Sequence, residues 1–419
     1  MPMSLITTFT RTWLTRSFKP FLFENEYDSH LPFGDCDKLG LYVHIPFCKS
    51  ICTFCPYCKT IYNKELCEKY IDALIQEIRM VGSQYDGKKE TTSLYFGGGT
   101  PALVADRIGE IIEVINEYFI VTEGVGVELH PDNVTVETLW KLKAAGVTKI
   151  SVGIQAFSEK FQTVLGRKQV DPAKLKEALD KVAFETVSMD FIFALPNQTC
   201  EDIKSDVDIA FRNGANHVAI YPFIDFSFTK SEVKSMPKKQ KKQLLDQITA
   251  YFKQQGYYRD SIWTFSNKKE AKYSSMTRDN FLGFGCSATT LLKNQFKINT
   301  FSVDEYCKRI NGGELPTSLT IRFSLRQRMV YYLFWTLYSM QLDERKFEQF
   351  FGVPLKKMYG FEFWLAQKLG FLTKENNIYS MTTKGAFYYH YYEQFYTLSY
   401  IDKMWGIMRN EAFPKYIKM

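Results

Sequence analysis

The sequence predicts an α/β fold: a partial (β/α)6 barrel of the TIM type, joined to a smaller helical, winged-helix-like C-terminal domain. Three observations predict it. Short apolar segments alternate with helical segments from Leu41 to about Phe228. The alternation stops there, and helical patterns dominate from about Ser318 onward. Cysteines, glycines and polar side chains follow directly after several of the predicted strands, which is where barrel enzymes carry their sites.

Six apolar segments have the length and the bounding residues of strands. They are Leu41–Pro46, Ser93–Phe96, Val125–Leu129, Lys149–Ile154, Val187–Ala194 and His217–Tyr221. The helical segments between them are Lys64–Val81, Arg107–Tyr118, Val136–Ala145, Ser158–Leu165, Pro172–Ala183 and Glu201–Asn213. Crossovers of this length require parallel pairing, and right-handed crossovers wrap the strands into a barrel or part of one.

Four regions are predicted along the chain. Residues 1–38 form an N-terminal arm without clear periodicity, and residues 39–228 form the partial barrel. Residues 229–315 form an extension that covers the active site, with a helix over Pro237–Gln255 and a tight turn at Gly283-Phe284-Gly285. Residues 316–419 form the helix-rich, winged-helix-like domain, with a wing at Leu372–Thr382.

The composition excludes several classes of protein. The 419 residues are 45% hydrophobic with a net charge of +7 and no long basic block, so we expect neither disorder nor nucleic-acid binding. No apolar run reaches the roughly 18 residues of a membrane span, and the longest uncharged stretch, Met329 to Leu342, is predicted as a buried helix. The first residues lack the pattern of a secretory signal, so we expect a cytoplasmic protein.

The cysteines indicate metal binding rather than disulfides. Four of the nine lie between Cys48 and Cys58, as expected for metal or redox chemistry in a reducing compartment. Cys48-x3-Cys52-x2-Cys55 supplies three thiolates from one loop, which leaves the fourth iron of a [4Fe–4S] cubane open for a small ligand. Cys58 as a fourth ligand would close the cluster or make a zinc site, so this alternative stays open. The remaining cysteines are expected to be buried thiols: Cys36, Cys67, Cys200, Cys286 and Cys307.

Several residues at the strand ends have two interpretations each. Gly97-Gly98-Gly99 is either a tight turn or a place where backbone groups approach a ligand. Glu128 is either a surface glutamate or a buried hydrogen-bond acceptor. His44 is either a satisfied core histidine or a proton or electron relay. The residues alone leave these alternatives open.

Seven motifs in one order are similar to those of a known family. They are Tyr42-Val-His44-Ile-Pro46-Phe-Cys48-x3-Cys52-x-Phe54-Cys55, Phe96-Gly-Gly-Gly-Thr100-Pro101, Val127-Glu128-Leu-His-Pro131, Ser151-Val-Gly-Ile-Gln155-Ala-Phe157, Gly166-Arg167, Asp190-Phe-Ile-Phe-Ala-Leu195-Pro196 and Gly283-Phe-Gly285-Cys-Ser287-Ala288. From residue 41 to about 390 the chain resembles the oxygen-independent coproporphyrinogen III oxidase family of radical S-adenosylmethionine (SAM) enzymes. The resemblance implies reductive cleavage of SAM to methionine and a 5′-deoxyadenosyl radical.

The resemblance also implies roles for individual residues. Cys48, Cys52 and Cys55 would hold a [4Fe–4S] cluster, and Tyr42 and His44 would act in catalysis. One or two SAM molecules would contact Tyr42, Phe54, Gly98, Gly99, Thr100, Glu128, Gln155, Arg167, Asp190, Ile224 and Thr289. Within this set, the last two would contact the second SAM, and the planar fork of the arginine suits a carboxylate.

The resemblance leaves the substrate open. Similar proteins decarboxylate coproporphyrinogen III, transfer methyl groups with two SAM molecules, or act as heme chaperones. In the oxidases one residue separates the last two cysteines of this motif (Cys-x-Cys). Here two residues, Pro56 and Tyr57, separate Cys55 from Cys58, which is a departure from the decarboxylase pattern. We expect a tetrapyrrole or similar aromatic substrate and a reducing electron donor such as flavodoxin or ferredoxin.

Overall fold

The computed structural model describes residues 5–26, 28–268 and 279–419. Its strands are β1 (Leu22–Glu24), β2 (Leu39–Ile45), β3 (Phe47–Cys48), β4 (Thr60–Ile61), β5 (Lys89–Thr91), β6 (Leu94–Gly98), β7 (Phe119–Val121), β8 (Val125–Leu129), β9 (Lys149–Gln155), β10 (Thr186–Phe193), β11 (His217–Pro222), β12 (Tyr258–Arg259), β13 (Thr264–Ser266), β14 (Asn280–Phe284), β15 (Thr289–Leu292), β16 (Gln295–Asn299), β17 (Thr317–Arg322), β18 (Gln341–Asp343), β19 (Leu372–Glu375), β20 (Ile378–Met381) and β21 (Tyr416–Lys418). Its α-helices are α1 (Leu5–Thr15), α2 (Lys64–Gly82), α3 (Ala105–Tyr118), α4 (Val136–Ala144), α5 (Glu159–Val164), α6 (Pro172–Lys181), α7 (Cys200–Arg212), α8 (Lys238–Gln254), α9 (Val303–Asn311), α10 (Leu325–Tyr338), α11 (Glu344–Phe351), α12 (Leu355–Lys368), α13 (Thr383–Tyr396) and α14 (Asp402–Met408).

Seven parallel strands form the centre of the main sheet in the described residues. Their order is β11, β10, β9, β8, β6, β2 and β14, and every neighbouring pair is parallel. Helices α2 to α7 lie in the crossovers between successive strands from β2 to β11. The six predicted strands and the six predicted helices are confirmed, each boundary within two residues.

The predicted tight turn at Gly283-Phe284-Gly285 is wrong. Gly283 and Phe284 belong to β14, which pairs in parallel with β2 and sets Gly283 opposite Tyr42. Gly285 follows the strand with a φ of +98°, and a Cβ there would lie 2.4 Å from the Tyr70 hydroxyl. Because of β14, the strand that leads into the cysteine loop has a parallel neighbour on each side.

Antiparallel strands extend the sheet beyond both edges of this parallel unit. β13 and β12 follow β11, whereas β15, β16, β17, β1 and β21 follow β14. β1 comes from the segment predicted as an arm, and α1 of the same segment packs against α10 and α13. Neither element was predicted from the sequence pattern. The main sheet therefore includes strands from all four predicted regions.

Three helices and three strands form a second unit near the C-terminal end. Strands β18, β20 and β19 make an antiparallel sheet in that order, and β19 and β20 form the predicted wing. Helices α10, α11 and α12 pack with this sheet around a separate core: Met329, Tyr332, Leu333, Leu342, Phe347, Leu355, Tyr359, Phe363, Leu372 and Tyr379. The order helix, strand, two helices and hairpin is the one expected of a winged helix.

The uncharged stretch from Met329 to Leu342 is only partly helical. Helix α10 ends at Tyr338, and Leu342 belongs to β18. Met329 is fully buried, so the predicted buried helix is confirmed over the first part of this stretch. Of the helices in the described ranges, none is both long and apolar enough to cross a bilayer.

A buried carboxyl group ties helix α2 to the far side of β14. Glu77 is 2% exposed, and its Oε2 accepts hydrogen bonds from the Gly285 amide at 2.7 Å and the Tyr306 hydroxyl at 2.6 Å. Its Oε1 accepts one from Asn299 Nδ2 at 3.2 Å. Burial raises the pKa of Glu77 to about 7, although these three donors oppose the shift.

This carboxyl group gives the folding free energy a pH dependence. The unfolded chain releases the Glu77 proton near the ordinary pKa of 4.5, whereas the folded chain keeps it up to about pH 7. The folded state therefore binds more protons between these values, and the free energy of unfolding falls as pH rises through the window. Glu77→Gln should remove about 3 kcal/mol of that fall between pH 4.5 and 7.

Denaturant unfolding at pH 5, 6 and 7 measures the effect. Glu65→Gln, an exposed change in the same helix, serves as the control and should keep the wild-type slope. Identical slopes in wild type and Glu77→Gln would show that the Glu77 carboxyl is ionised in the fold.

Candidate active site

The carboxyl ends of the parallel strands meet at one edge of the sheet, and the predicted site residues gather there. They are Tyr42 and His44 on β2, Gly98 at the end of β6, Glu128 on β8, Gln155 at the end of β9 and Asp190 on β10. Chain connectivity does not bring these residues together, because every pair of neighbouring strands is separated by a helical crossover. Parallel pairing does so.

The cysteine loop begins at the end of β2 and is closed by a short parallel ladder. Cys48 lies in β3, which pairs with Thr60 and Ile61 of β4. Between these strands the Cys55 amide donates to the Cys52 carbonyl at 3.4 Å, which makes a turn. The loop is thus anchored at both ends, with Cys48 at the first anchored end and Cys52 and Cys55 in the segment between; all three cysteines are partly exposed.

The three thiols fit a polynuclear cluster better than a single ion. In the described part of the chain, the one set of three His, Cys, Asp or Glu donor atoms within 4.8 Å of one another contains none of Cys48, Cys52 and Cys55. Two thiolates on one tetrahedral zinc ion lie roughly 3.8 Å apart. A cubane binds each thiolate to a different iron, so its ligands are spread more widely.

The surroundings of the loop affect the protonation of its thiols. Burial raises the pKa of Cys48 to about 11 and raises that of Cys52 as well. Both thiols are therefore neutral at pH 7 without metal, and a bound metal ion is what stabilises thiolates in such a place. The Thr100 hydroxyl, 3.8 Å from the Cys48 sulfur, is a donor for the thiolate form.

The glycine segment after β6 packs directly against the start of the cysteine loop. The Gly99 amide donates to the Ile45 carbonyl and the Thr100 amide to the Phe47 carbonyl, both at 2.8 Å. A Cβ on Gly99 would lie 2.6 Å from the Phe47 oxygen. Gly98 has a φ of +119°, and a Cβ there would lie 2.6 Å from the His44 ring. Both glycines are thus required by close packing in this structure.

Glu128 is held between β6 and β8. Its Oε1 accepts from the Tyr95 hydroxyl and its Oε2 from the Gly98 amide, each at 3.1 Å. Burial raises the pKa of Glu128, and the two hydrogen bonds oppose the shift. A carboxyl group that already contacts the glycine segment is placed to accept a hydrogen bond from a ligand amine there.

Arg167 carries unused hydrogen-bonding capacity. Its Nη1 donates to the Gly153 carbonyl at 2.8 Å, whereas Nε and Nη2 are buried without a hydrogen-bond partner in the described residues. Burial lowers the pKa of Arg167, and the nearby Cys52 sulfur opposes the shift. Two free N–H groups of a planar fork fit the carboxylate of an amino-acid ligand such as SAM.

Gln155 ends β9, two residues after the Gly153 carbonyl that Arg167 binds. Its φ of +71° is unusual for a residue other than glycine, and its Nε2 would be 2.9 Å from a Cβ on Gly153. Backbone strain of this kind costs about 1–3 kcal/mol and concentrates at ligand sites. The absence of a side chain at Gly153 leaves space for the Gln155 amide, and Arg167 binds the carbonyl of the same glycine.

Two serines donate hydrogen bonds to the carboxyl group of Asp190. Ser151 Oγ donates to its two oxygens at 3.0 and 2.9 Å, and Ser188 Oγ lies 3.3 Å away. Burial raises the pKa of Asp190 to about 7, and the charge of Glu128 adds to the shift. The two carboxyl groups therefore lie close enough to influence each other, as two sides of one polar site.

Tyr42 and His44 are coupled to each other and to the walls of the site. The Tyr42 hydroxyl lies 3.1 Å from His44 Nδ1, and His44 Nε2 lies 3.0 Å from the Cys58 carbonyl. Burial raises the pKa of Tyr42 well above its usual value, so this residue is a neutral hydrogen-bonding group. Phe54 packs against a small apolar cluster that includes Ile192 and Phe223, at the ends of β10 and β11.

The two residues predicted for a second SAM lie on opposite sides of the parallel unit. Ile224 follows β11, and Thr289 begins β15 beside Gly283 of β14. Gly283 pairs with Tyr42, so Thr289 is one strand removed from the cysteine-bearing strand.

The thiol of Cys58 has its own set of neighbours, which includes none of Cys48, Cys52 and Cys55. It is 7% exposed, and its thiol donates to the Phe301 carbonyl at 3.2 Å. A hydrogen bond from Cys286 lowers the pKa of Cys58, whereas burial raises that of Cys286. These two thiols and His44 form the donor set within 4.8 Å mentioned above.

Several residues of the site were missed by the sequence reasoning. Tyr95, Ser151 and Ser188 hold the two carboxyl groups, and Arg409 donates to the Pro56 carbonyl from beyond α14. The strand residues could have been found from two-residue alternation, since Tyr95 and Gly97 share a face and Ser188 and Asp190 share another. No local pattern marks Arg409.

Comparison with solved structures identifies the class of fold. Coproporphyrinogen III oxidase (HemN) from Escherichia coli, described as a radical SAM enzyme, matches with a TM-score of 0.76 over 91% of this chain and 98% of that chain. Sequence identity in this match is 20%, so the likeness shows the fold. The predicted α/β fold class, a partial barrel with a helical C-terminal region, is confirmed.

Sequence comparisons show which proteins the chain is similar to. The model of the Radical SAM superfamily matches residues 42–210. The heme chaperone HemW of Lactococcus lactis is 29% identical over 82% of this chain and 93% of that protein. The oxygen-independent coproporphyrinogen III oxidase of Synechocystis is 24% identical over 75% of this chain and 72% of that protein. These matches support a HemN-like radical SAM protein, similar to these oxidases and to HemW.

Radical SAM proteins use a [4Fe–4S] cluster and SAM, so the cofactor prediction is confirmed. The donor chemistry agrees with it, because three thiols stand apart from any single-ion geometry and Arg167 offers an unused buried fork. The role of each predicted contact stays a prediction.

Proposed function

We propose that this protein is a radical SAM enzyme that cleaves SAM reductively and acts on a tetrapyrrole. The observation that carries the proposal is the Arg167 fork, buried without a partner beside the thiol of Cys52 at the carboxyl edge of the barrel. When bound, the cluster and SAM supply a 5′-deoxyadenosyl radical, and the protein supplies position, hydrogen bonds and exclusion of water. A reduced flavodoxin or ferredoxin would donate the electron.

In this proposal the chain's own residues orient SAM. Cys48, Cys52 and Cys55 hold the cluster and leave one iron free for the cofactor. The glycine segment and Glu128 receive the amine, whereas Arg167 receives a carboxylate. The carboxyl group of Asp190, which accepts hydrogen bonds from Ser151 and Ser188, would bind ribose hydroxyls.

Aromatic side chains beside the cysteine loop support a flat substrate. Trp405 of α14 lies 6.1 Å from Tyr57 of the loop, 6.4 Å from Phe226 and 6.2 Å from Phe301, measured between ring centroids. The Phe226 and Trp405 planes differ by 11°. Aromatic faces bind flat conjugated ligands by stacking. The guanidinium of Arg409, which donates to the Pro56 carbonyl, adds a positive charge suited to a propionate.

A second candidate function is that of a heme chaperone. Two observations favour it: the HemW match spans 93% of that protein, and Pro56-Tyr57 separate Cys55 from Cys58. A chaperone would bind heme against the same aromatic side chains, Tyr57, Phe226, Phe301 and Trp405, and would not convert it.

Anaerobic assays of the cluster-loaded protein distinguish the two functions. With dithionite and SAM, we expect 5′-deoxyadenosine in the wild type and none in Cys52→Ala, measured by mass spectrometry. Coproporphyrinogen III or heme should raise the yield and be converted, either with loss of CO2 or with gain of a methyl group. Stoichiometric heme binding without any 5′-deoxyadenosine would favour the chaperone and contradict the enzyme.

A further inference from the structure

We propose that His44, Cys58 and Cys286 form a second metal site, separate from the iron–sulfur cluster and suited to a thiophilic divalent ion of the zinc class. One donor atom from each residue lies within 4.8 Å of the other two, and this is the one such set of His, Cys, Asp or Glu residues in the described chain. His44 and Cys58 come from β2 and the loop after it, whereas Cys286 comes from a segment more than 200 residues later, so the fold brings the set together.

The donor chemistry selects the kind of ion. Two thiolates and a neutral imidazole form a soft donor set, which zinc accepts in structural and catalytic sites. Two thiolate charges cancel the two charges of the ion, so the complete site is neutral. Neutrality matters because the three residues are 4%, 7% and 0% exposed, in chain order, and an unpaired charge in such a place is costly.

The required geometry is close to the one present. In a tetrahedral zinc site the thiolate sulfurs lie roughly 3.8 Å apart. The donor atoms of His44, Cys58 and Cys286 all lie within 4.8 Å of one another. Ser287 follows Cys286 directly in the chain, and its hydroxyl oxygen is a candidate for the fourth position.

The surroundings hold the imidazole in place. Its two nitrogens lie 3.1 Å from the Tyr42 hydroxyl and 3.0 Å from the Cys58 carbonyl. Whichever nitrogen binds the ion, the other keeps a hydrogen bond that fixes the ring, as is usual for metal-bound histidine. Gly98 packs against one side of the His44 ring, because a Cβ on Gly98 would lie 2.6 Å from it.

An ion here would staple the cysteine loop to the barrel. Cys58 lies near the end of the loop, His44 lies on β2, and Cys286 follows β14. The bound ion would hold the end of the loop that carries Cys55 in place, and none of the three iron ligands would be needed for this. This inference is independent of the proposed function, since a chaperone and an enzyme would both benefit from a rigid loop.

Elemental analysis of the wild type tests the proposal directly. Protein grown with zinc and loaded with its cluster anaerobically should contain roughly one zinc beside roughly four irons per chain. Only preparations with full iron are counted, because iron then occupies Cys48, Cys52 and Cys55. Wild type with full iron and less than about a tenth of one zinc overturns the proposal.

Two variants and one oxidation assay add discrimination. Cys286→Ser should lose the zinc and keep the iron, whereas Cys36→Ser, a buried thiol elsewhere, should keep both. Zinc that persists in Cys286→Ser overturns the assignment. Free thiols are also counted in zinc-free protein before and after exposure to air. Loss of two free thiols in air, reversed by a reductant, would show that Cys58 and Cys286 are a disulfide pair instead of a metal site.

Discussion

Cys52→Ala should abolish the visible absorbance of the iron–sulfur cluster and leave no measurable cleavage of SAM. The same outcome is expected for Cys48→Ala and Cys55→Ala, because each removes one of the three thiolates that hold a cubane. Cys58→Ala should keep the absorbance and the iron, since the Cys58 sulfur is turned toward Phe301, His44 and Cys286. The measurement is the absorption spectrum and iron content after anaerobic reconstitution.

The comparison between Cys52 and Cys58 is the informative one. Loss of iron in Cys58→Ala, with an unchanged circular dichroism spectrum, would mean that four cysteines close the cluster. A closed cluster has no free iron for SAM, so the proposed enzyme would then be excluded and a chaperone favoured.

Arg167→Ala should cut kcat/KM for SAM cleavage by roughly 30–150-fold, equivalent to about 2–3 kcal/mol of lost charge-assisted hydrogen bonding. The reason is the buried fork, whose Nε and Nη2 have no partner in the described protein and would bind a carboxylate. Arg167→Lys should recover only part of the loss, because an ammonium keeps the charge but lacks the planar pair of donors. Single-turnover formation of 5′-deoxyadenosine measures each rate.

Two further measurements separate this role from a structural one. Lys168→Ala, an exposed neighbour, should leave the rate unchanged. Arg167→Ala should also shift the cluster potential to more negative values, because it removes a positive charge beside Cys52. A wild-type rate in Arg167→Ala would show that the fork serves the fold alone.

The barrel could be predicted from sequence because its pattern is local. Each strand is a short apolar segment, each helix has one apolar face, and parallel pairing follows from the length of the crossovers. The same reasoning placed Glu128, Gln155 and Asp190 at one edge. Their convergence is a consequence of strand order, which these rules supply.

What was missed depends on contacts between distant segments. Gly283-Phe284-Gly285 has the composition of a turn, and only pairing with β2, some 240 residues earlier, makes most of it a strand. The set of His44, Cys58 and Cys286 is invisible for the same reason, since Cys286 is isolated in sequence. Local composition reports conformational preference, whereas tertiary pairing decides between a turn and a strand.

Strand β1 has a consequence for how the chain is made. Phe23 pairs with Ile417, and Glu24 pairs with both Thr320 and Tyr416. At about 5–20 residues per second, a ribosome needs roughly 20–80 s to synthesise the stretch between Phe23 and Ile417. Throughout that interval β21 is missing, and the backbone groups of β1 that pair with β21 are open to pairing with other nascent chains. Slow translation of the C-terminal third should therefore lower the yield of folded protein, while a chaperone that shields strand edges should restore it.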